Sequence, residues 1–269
     1  MTNDHVKLIP REIREASFPI ASFLSEEEQV KYEDSIKQFR GKAYDSLNIP
    51  IEGSNLFKVL WLNQIGIPTA TLSELKQAID NGMDLIVHYE DAPSVVLRSN
   101  GDSYEPNDYL ASSLAEVINE REFEHSLILN GLELKADENS DYGLVLVPGE
   151  KFEKIEAPDF DYINNRKRFS RINPDYTIEW NEQGNKTLYS RNKSLSRFSV
   201  AGDLDLDSYT VHLAYSDSFG RVVVVSSGGA KNFDEYLSKL KEERDKQKVE
   251  FGVRFERAMN HLKPENYKK

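Results

Sequence analysis

Near residue 125 the hydrophobic period of this 269-residue chain changes from that of helices to that of strands. Upstream, SEEEQVKYEDSIKQFRGKAYDSL carries Val30, Tyr32, Ile36 and Phe39 at helical spacing behind a Ser25–Glu28 capping box. GSNLFKVLWLNQIGI offers Leu56, Val59, Leu60 and Leu62 as core. TLSELKQAIDNG is a second capped helix, opened by Thr71 with Glu74 and stopped by Gly82. MDLIVHYED and PSVVLRS are short and β-rich, and EPNDYLASSLAEVINEREF returns to a helix with Pro106 in its first turn. Downstream, HSLILNGLELKA and YGLVLVPGEKFEKI alternate apolar and polar residues around Asn-Gly and Pro-Gly, the residues of hairpin turns. GRVVVVSS sets four valines in a row, as in a strand buried on both faces. The chain closes on a charged helical segment with Phe233, Leu237, Leu240, Phe251, Phe255, Ala258 and Leu262 spaced by threes and fours, interrupted at Arg244 and Gln247. That helix either packs on the body or joins copies of the chain into a homo-oligomer.

The expected fold is therefore α+β in three parts. A mixed helix/strand region covers 1–124, a β-rich domain covers 125–230 and a long charged helix covers 231–269. The formal net charge of −12 disfavours nucleic acid, since so acidic a chain is repelled by a phosphate backbone. With no cysteine, disulfides, thiolate metal sites and cysteine nucleophiles are all excluded. No apolar run reaches the roughly 18 residues of a membrane span. The N-terminus lacks an apolar signal core, which predicts a cytoplasmic protein and leaves export by another route open.

Motifs of catalysis are missing. None of His5, His88, His125, His212 and His261 has a metal-binding spacing, and there is no dinucleotide fingerprint, phosphate loop or nucleophile elbow. No cofactor and no metal are expected. DLDLD at Asp203–Asp207 has Ser208 where a calcium loop needs Gly and Ala214 where it needs Glu, so it reads as an amphipathic strand with Leu204 and Leu206 inward. The basic cluster Arg166–Arg171 reads as a solvated loop.

One stretch is compositionally odd. Ser194–Ala230 contains no Glu, Lys, Gln, Met or Trp. The whole chain has 27, 20, 6, 3 and 2 of these, so 37 residues should hold about 8. Strands disfavour Glu and Lys, which accounts for part of the gap but not for the loss of Gln, Met and Trp beside abundant Asp and Ser. Every residue type present can be encoded by a codon ending in a pyrimidine, whereas Glu, Lys, Gln, Met and Trp cannot.

On those residues the tract resembles the variable region of target proteins of diversity-generating retroelements, over roughly residues 160–227. Gly220-Arg221-Val222 is similar to the Gly-Phe-Arg-plus-strand ending of their C-type-lectin-like domains. Phe219 precedes the glycine here, and KTLYSRNKS stands where the family has Gly-Gly-Ser-Trp. The resemblance implies a lectin-like scaffold for 125–230, a bacterial or phage source, and a non-enzymatic protein that binds a protein or surface ligand through varied side chains. Those side chains are Arg197, Ser199, Asp203, Asp205, Asp207, Tyr209, Thr210, His212, Tyr215, Asp217, Ser218 and Phe219. They stand between the apolar anchors Leu195, Leu204, Leu206, Leu213 and Ala214 and are rich in the Tyr, Ser and Asp of binding loops. Leu195, Leu206, Leu213, Val223 and Val225 are expected to form one core. The related formylglycine-generating enzymes act through cysteines, so their chemistry does not carry over. Two other readings remain: an enzyme or enzyme subunit with carboxylates such as Asp203 and Asp205 in its site, and a structural phage or assembly protein.

Overall fold

The computed structural model describes residues 20–50, 53–80, 83, 88–98, 107–119, 123–161, 166–173, 175–191, 194–201 and 204–226. Contacts divide the chain into a unit spanning Ala21–Val225 and a second of Met1–Ile20 with Ser226–Lys269. The second lies almost wholly outside the described residues, as does the expected C-terminal helix.

Among the described residues there are ten strands and five helices. The helices are α1 (Glu26–Ile36), α2 (Gly41–Leu47), α3 (Leu56–Gln64), α4 (Leu72–Asp80) and α5 (Asp108–Val117). The strands are β1 (Ile20–Phe23), β2 (Tyr89–Arg98), β3 (Leu127–Ala136), β4 (Leu144–Glu156), β5 (Lys167–Ile172), β6 (Ile178–Trp180), β7 (Lys186–Ser190), β8 (Ser194–Ala201), β9 (Leu206–Ser208) and β10 (Val223–Ser226). Eight of them form one sheet in the order β4-β3-β2-β8-β9-β7-β5-β6, while β1 pairs with β10.

This order overturns the expected α+β partition with a separate lectin-like domain after residue 125. β2 comes from the first half of the chain, yet it lies between β3 and β8, antiparallel to both. The body is strand-rich and its central sheet is shared by both halves. Local periodicity shows that a strand exists; which distant strand completes its hydrogen bonds is set by long-range pairing.

The local devices are as follows. The Ser25–Glu28 capping box opens α1, with the Glu28 carboxylate 2.9 Å from the Ser25 N–H. Glu74 likewise reaches back to the Thr71 N–H at 2.8 Å ahead of α4. The long helix expected over 25–47 is two, α1 and α2, broken near Gly41 at φ +54°. Of the two β-rich segments expected over 83–91 and 93–99, Tyr89–Asp91 and Pro93–Arg98 are joined in β2, whose pairing with β8 is interrupted between Asp91 and Val95, where Pro93 has no N–H to give. Asn130-Gly131 is not a turn but runs inside β3, opposite a bulge in β4 where the register jumps from Glu153 to Pro148. Gly131 has φ +64°, and an added Cβ there would strike the Lys151 carbonyl. Pro148 and Gly149 run within β4, an edge strand, where a missing N–H is tolerated. The chain reverses instead at Asp137–Gly143, where Gly143 takes φ +68°.

Alternation splits the core into two clusters, one on each face of the sheet. Val95, Leu97, Leu127, Leu129 and Leu195 pack with α1, α2, α3 and α5. Val96, Ile128, Phe198 and Val200 pack with Leu72 and Leu75 of α4 and with Phe160, Phe169 and Tyr176. The expected single core of Leu195, Leu206, Leu213, Val223 and Val225 is thus corrected: Leu195 and Leu213 join the first cluster, the other three the second. The valine run is buried on both faces, Val222 and Val224 in the first cluster and Val223 and Val225 in the second.

Arg98 ties the middle of the sheet together. Its buried guanidinium donates to Ser196 of β8 at 2.8 Å, Ser208 of β9 at 2.9 Å, Ser190 of β7 at 3.3 Å and the Phe160 carbonyl at 3.3 Å. One cation therefore bridges four adjacent strands.

Candidate functional site

Between β9 and β10 the chain has no helix or strand, so its backbone polar groups need partners from elsewhere. Interior side chains supply them. The Asn107 amide donates to the Val211 carbonyl at 2.7 Å, and the Asn55 amide donates to the Ala214 carbonyl at 3.0 Å. Asn55 also caps α3, accepting from the Lys58 N–H at 2.8 Å, so one asparagine fixes both helix and loop. Arg197 Nη1 donates to the Tyr215 carbonyl at 2.6 Å. The Leu213 and Asp217 N–H groups donate to the hydroxyls of Tyr142 and Tyr89, each at 3.3 Å. Tyr89 also exchanges backbone bonds with Phe219 and Arg221 at 3.1 and 2.9 Å. The Leu213 side chain is a buried plug.

Local carboxylates shape what lies between these anchors. Asp207 accepts from the N–H groups of Tyr209 and Thr210 at 2.8 and 3.0 Å. Asp217 accepts from the Phe219 N–H at 2.8 Å and the Tyr215 hydroxyl at 3.0 Å. These are Asp-centred turns, which hold a loop without regular structure.

The anchored loop turns large side chains outward. Tyr209, Tyr215 and Phe219 are 46 %, 45 % and 56 % exposed. His212 and Ser218 are exposed too, and the His212 ring lies 6.2 Å from that of Tyr215. Arg191 stands over the Tyr209 ring at 5.2 Å.

The other residues expected on this surface are buried, half-buried or outside the described residues, although Thr210 and Asp217 belong to the loop. Arg197 and Ser199 are buried, because β8 is an inner strand covered on both faces and has no outward side to offer. Asp205, Asp207, Thr210 and Asp217 are half-buried. The Asp205 carboxylate accepts from the Thr187 N–H. Asp203 lies outside the described residues. Leu204 and Leu206 are buried as expected, but Leu204 has φ +68° and lies outside any strand, and only Leu206 lies in one.

Beneath the loop is a network of buried charge that strand patterning gave no reason to expect. Asp91 is fully buried, accepts from the Ser54 hydroxyl at 2.9 Å and lies 3.3 Å from Arg197 Nη1. The Arg197 guanidinium is 5.1 Å from the Tyr89 ring and 5.6 Å from the Tyr215 ring. Burial pushes the Asp91 pKa up to about 6, against the pull of Arg197 and Ser54. Burial also raises the neighbouring Glu90 carboxyl well above its ordinary value, opposed by the Val223 N–H and Lys58. It lowers the Lys58 ammonium to about 8. In YED and LFKV such charges read as the outward face of an element; only the long-range packing of β2 against α3 and β8 encloses them.

A separate groove of about 850 Å³ is lined by Leu72, Lys76, Asn130, Glu153, Arg171 and Tyr176, among others, and shares no residue with the loop. Among the described residues no cluster of three or more His, Asp or Glu could hold a metal ion. None of their helices is long and apolar enough to cross a membrane. Comparison with protein-family models, curated proteins and solved structures returns no match.

Proposed function

We propose that this is a binding protein without chemistry of its own, and that its contact surface is the exposed part of the Tyr209–Phe219 loop. One observation carries the reading: the loop backbone is fastened to interior groups at Val211, Leu213, Ala214, Tyr215, Asp217 and Phe219, while its aromatic side chains stay in water. A fastened loop loses little further entropy on binding, and tyrosine adds area at low rotamer cost. The side chains that face solvent take no part in the fastening bonds to the interior, so they can be exchanged without refolding. The acidic chain favours a protein or surface ligand over a nucleic acid.

The same loop lies within the stretch lacking Glu, Lys, Gln, Met and Trp, which supports its being the target of a diversity-generating retroelement. The gene tests this. Pyrimidine-ending codons across residues 194–219 at the Ser, Thr, Leu, Val, Ala, Gly and Arg positions, whose codons could end otherwise, beside a near-copy repeat and a reverse transcriptase gene, are expected. Neighbouring DNA with no such repeat contradicts the diversification. The binding reading has its own test. A displayed library randomised at Tyr209, Thr210, His212, Tyr215, Ser218 and Phe219, selected against a defined protein such as lysozyme, should yield folded clones with Kd of roughly 10⁻⁷ M or better. Recovery of unfolded clones alone would count against it.

A further inference from the structure

The surface proposed above rests on a pair of charges that is incompletely satisfied. Asp91 Oδ1, Arg197 Nε and Ser216 Oγ are buried and make no hydrogen bond, although Asp91 Oδ1 is 3.3 Å from Arg197 Nη1. The Arg197 side chain is 5 % exposed and that of Asp91 is 0 % exposed. Arg197 also donates to the loop backbone, through the Tyr215 carbonyl. The order of contacts is Ser54, Asp91, Arg197, Tyr215: from the start of α3, through β2 and β8, into the centre of the loop.

We propose that the Asp91–Arg197 pair is a proton-operated latch that holds the Tyr209–Phe219 loop in its binding shape, so that mild acid loosens the surface. Ionised Asp91 keeps the guanidinium on the sheet, where Nη1 reaches the Tyr215 carbonyl. Adding a proton to Asp91 leaves Arg197 a buried cation whose remaining near contacts are that carbonyl and the rings of Tyr89 and Tyr215. A buried cation that has lost its paired carboxylate moves toward water, and its way out passes the loop. The groups facing the pair are few. Ser54 faces Asp91 from the segment before α3, and Tyr89 faces Arg197 from β2. Asp207 of β9 acts on both charges, Asp217 of the loop acts on Asp91, and Glu90 adjoins Asp91 on the same strand. Burial places the Asp91 transition near pH 6. The protonated fraction then rises from about one tenth at pH 7 to about nine tenths at pH 5.

This inference rests on the loop being the binding surface, but its test needs no ligand and so fails separately. Amide hydrogen exchange of residues 211–221 is followed in the full-length protein from pH 5 to 8, corrected for intrinsic rate. Protection is expected to fall about tenfold between pH 7 and pH 5. Asp91→Asn is expected to exchange fast throughout. His88 Nδ1 lies 3.2 Å from the Phe219 carbonyl, and His212 is on the loop, so imidazoles are the competing cause. The His88→Gln, His212→Gln double variant should keep the wild-type response. Unchanged protection in the wild type from pH 5 to 8 overturns the latch even if Asp91→Asn does not fold. Loss of the response in the double histidine variant overturns it as well.

Discussion

Gly220 ends the exposed loop where its backbone crosses the interior, and replacing it by alanine measures how tightly the loop is seated. Its φ is one that any residue adopts, so an added Cβ costs only space. That Cβ would lie 2.7 Å from the Ser54 backbone nitrogen and 3.0 Å from the Tyr89 hydroxyl. Ordinary contact needs about 3.4 Å or more, so one side has to move several tenths of an ångström. Neither side moves freely. The Ser54 hydroxyl is bonded to Asp91, and the Tyr89 ring lies against Arg197 while its hydroxyl accepts from the Asp217 N–H. Overpacking of this kind costs about 1–3 kcal/mol. The gain from a stiffer unfolded chain returns about 0.4–1 kcal/mol, leaving a net loss of about 1–2 kcal/mol. Urea unfolding followed by far-UV circular dichroism reads that loss, with Gly66→Ala as the comparison. Gly66 has open space around it but φ +78°, so it pays backbone strain alone and leaves the loop unmoved. Gly220→Ala should also speed exchange at the Tyr89 and Arg221 amides. A Gly220→Ala protein within about 0.5 kcal/mol of wild type, with those amides unchanged, refutes the seating described above.

Three further outcomes follow from the same structure. Leu213→Ala and Leu206→Ala, one in each core cluster, should each cost about 2–5 kcal/mol in denaturant melts, and near-zero effects would show that these side chains are not plugs. Arg98→Ala strips four hydrogen bonds from the middle of the sheet and should lower stability by about 2–4 kcal/mol, read from the urea midpoint; a neutral effect removes its role as a four-strand tie. The Asp91 pKa is raised from 3.8 to about 6, so between those values the folded state holds more protons than the unfolded one, and its contribution to stability falls as pH rises. The free-energy difference between wild type and Asp91→Asn should therefore shift by about 2 kcal/mol from pH 4 to pH 7, against wild type; a pH-independent difference contradicts it.

What a single sequence discloses here is its local physics. Both capping boxes, Ser25–Glu28 and Thr71–Glu74, are chemical signals complete within four residues, and both form. The valine run is equally local, since four apolar β-branched residues leave no face for water. Asn130-Gly131 shows where locality ends. The dipeptide announces a residue at positive φ, and Gly131 supplies it, but only the passing Lys151 carbonyl decides between strand and turn. The alternation through β8 misplaces Arg197 and Ser199 because it assumes one wet face, and β2 with β9 on either side puts β8 inside the sheet. Lys58, Glu90, Asp91 and Arg98 are unreadable for a related reason. A buried charge becomes affordable only when partners more than thirty residues away arrive. In the loop, Tyr209, His212, Tyr215 and Phe219 reach solvent because the bonds that fasten them are made by the backbone.

The most direct measurement of the proposed surface is the thermal midpoint of one protein carrying Tyr209→Ser, His212→Asn, Tyr215→Asp and Phe219→Ser together. Exposed substitutions usually stay within about 0.5 kcal/mol each, so four of them should change stability by no more than about 2 kcal/mol. For a unit of this size that is a shift of at most about 8 °C, with a cooperative transition and native circular dichroism retained. If the four-residue variant instead melts far below that limit, loses cooperativity or aggregates, these side chains are structural, and the loop is not an exchangeable binding surface.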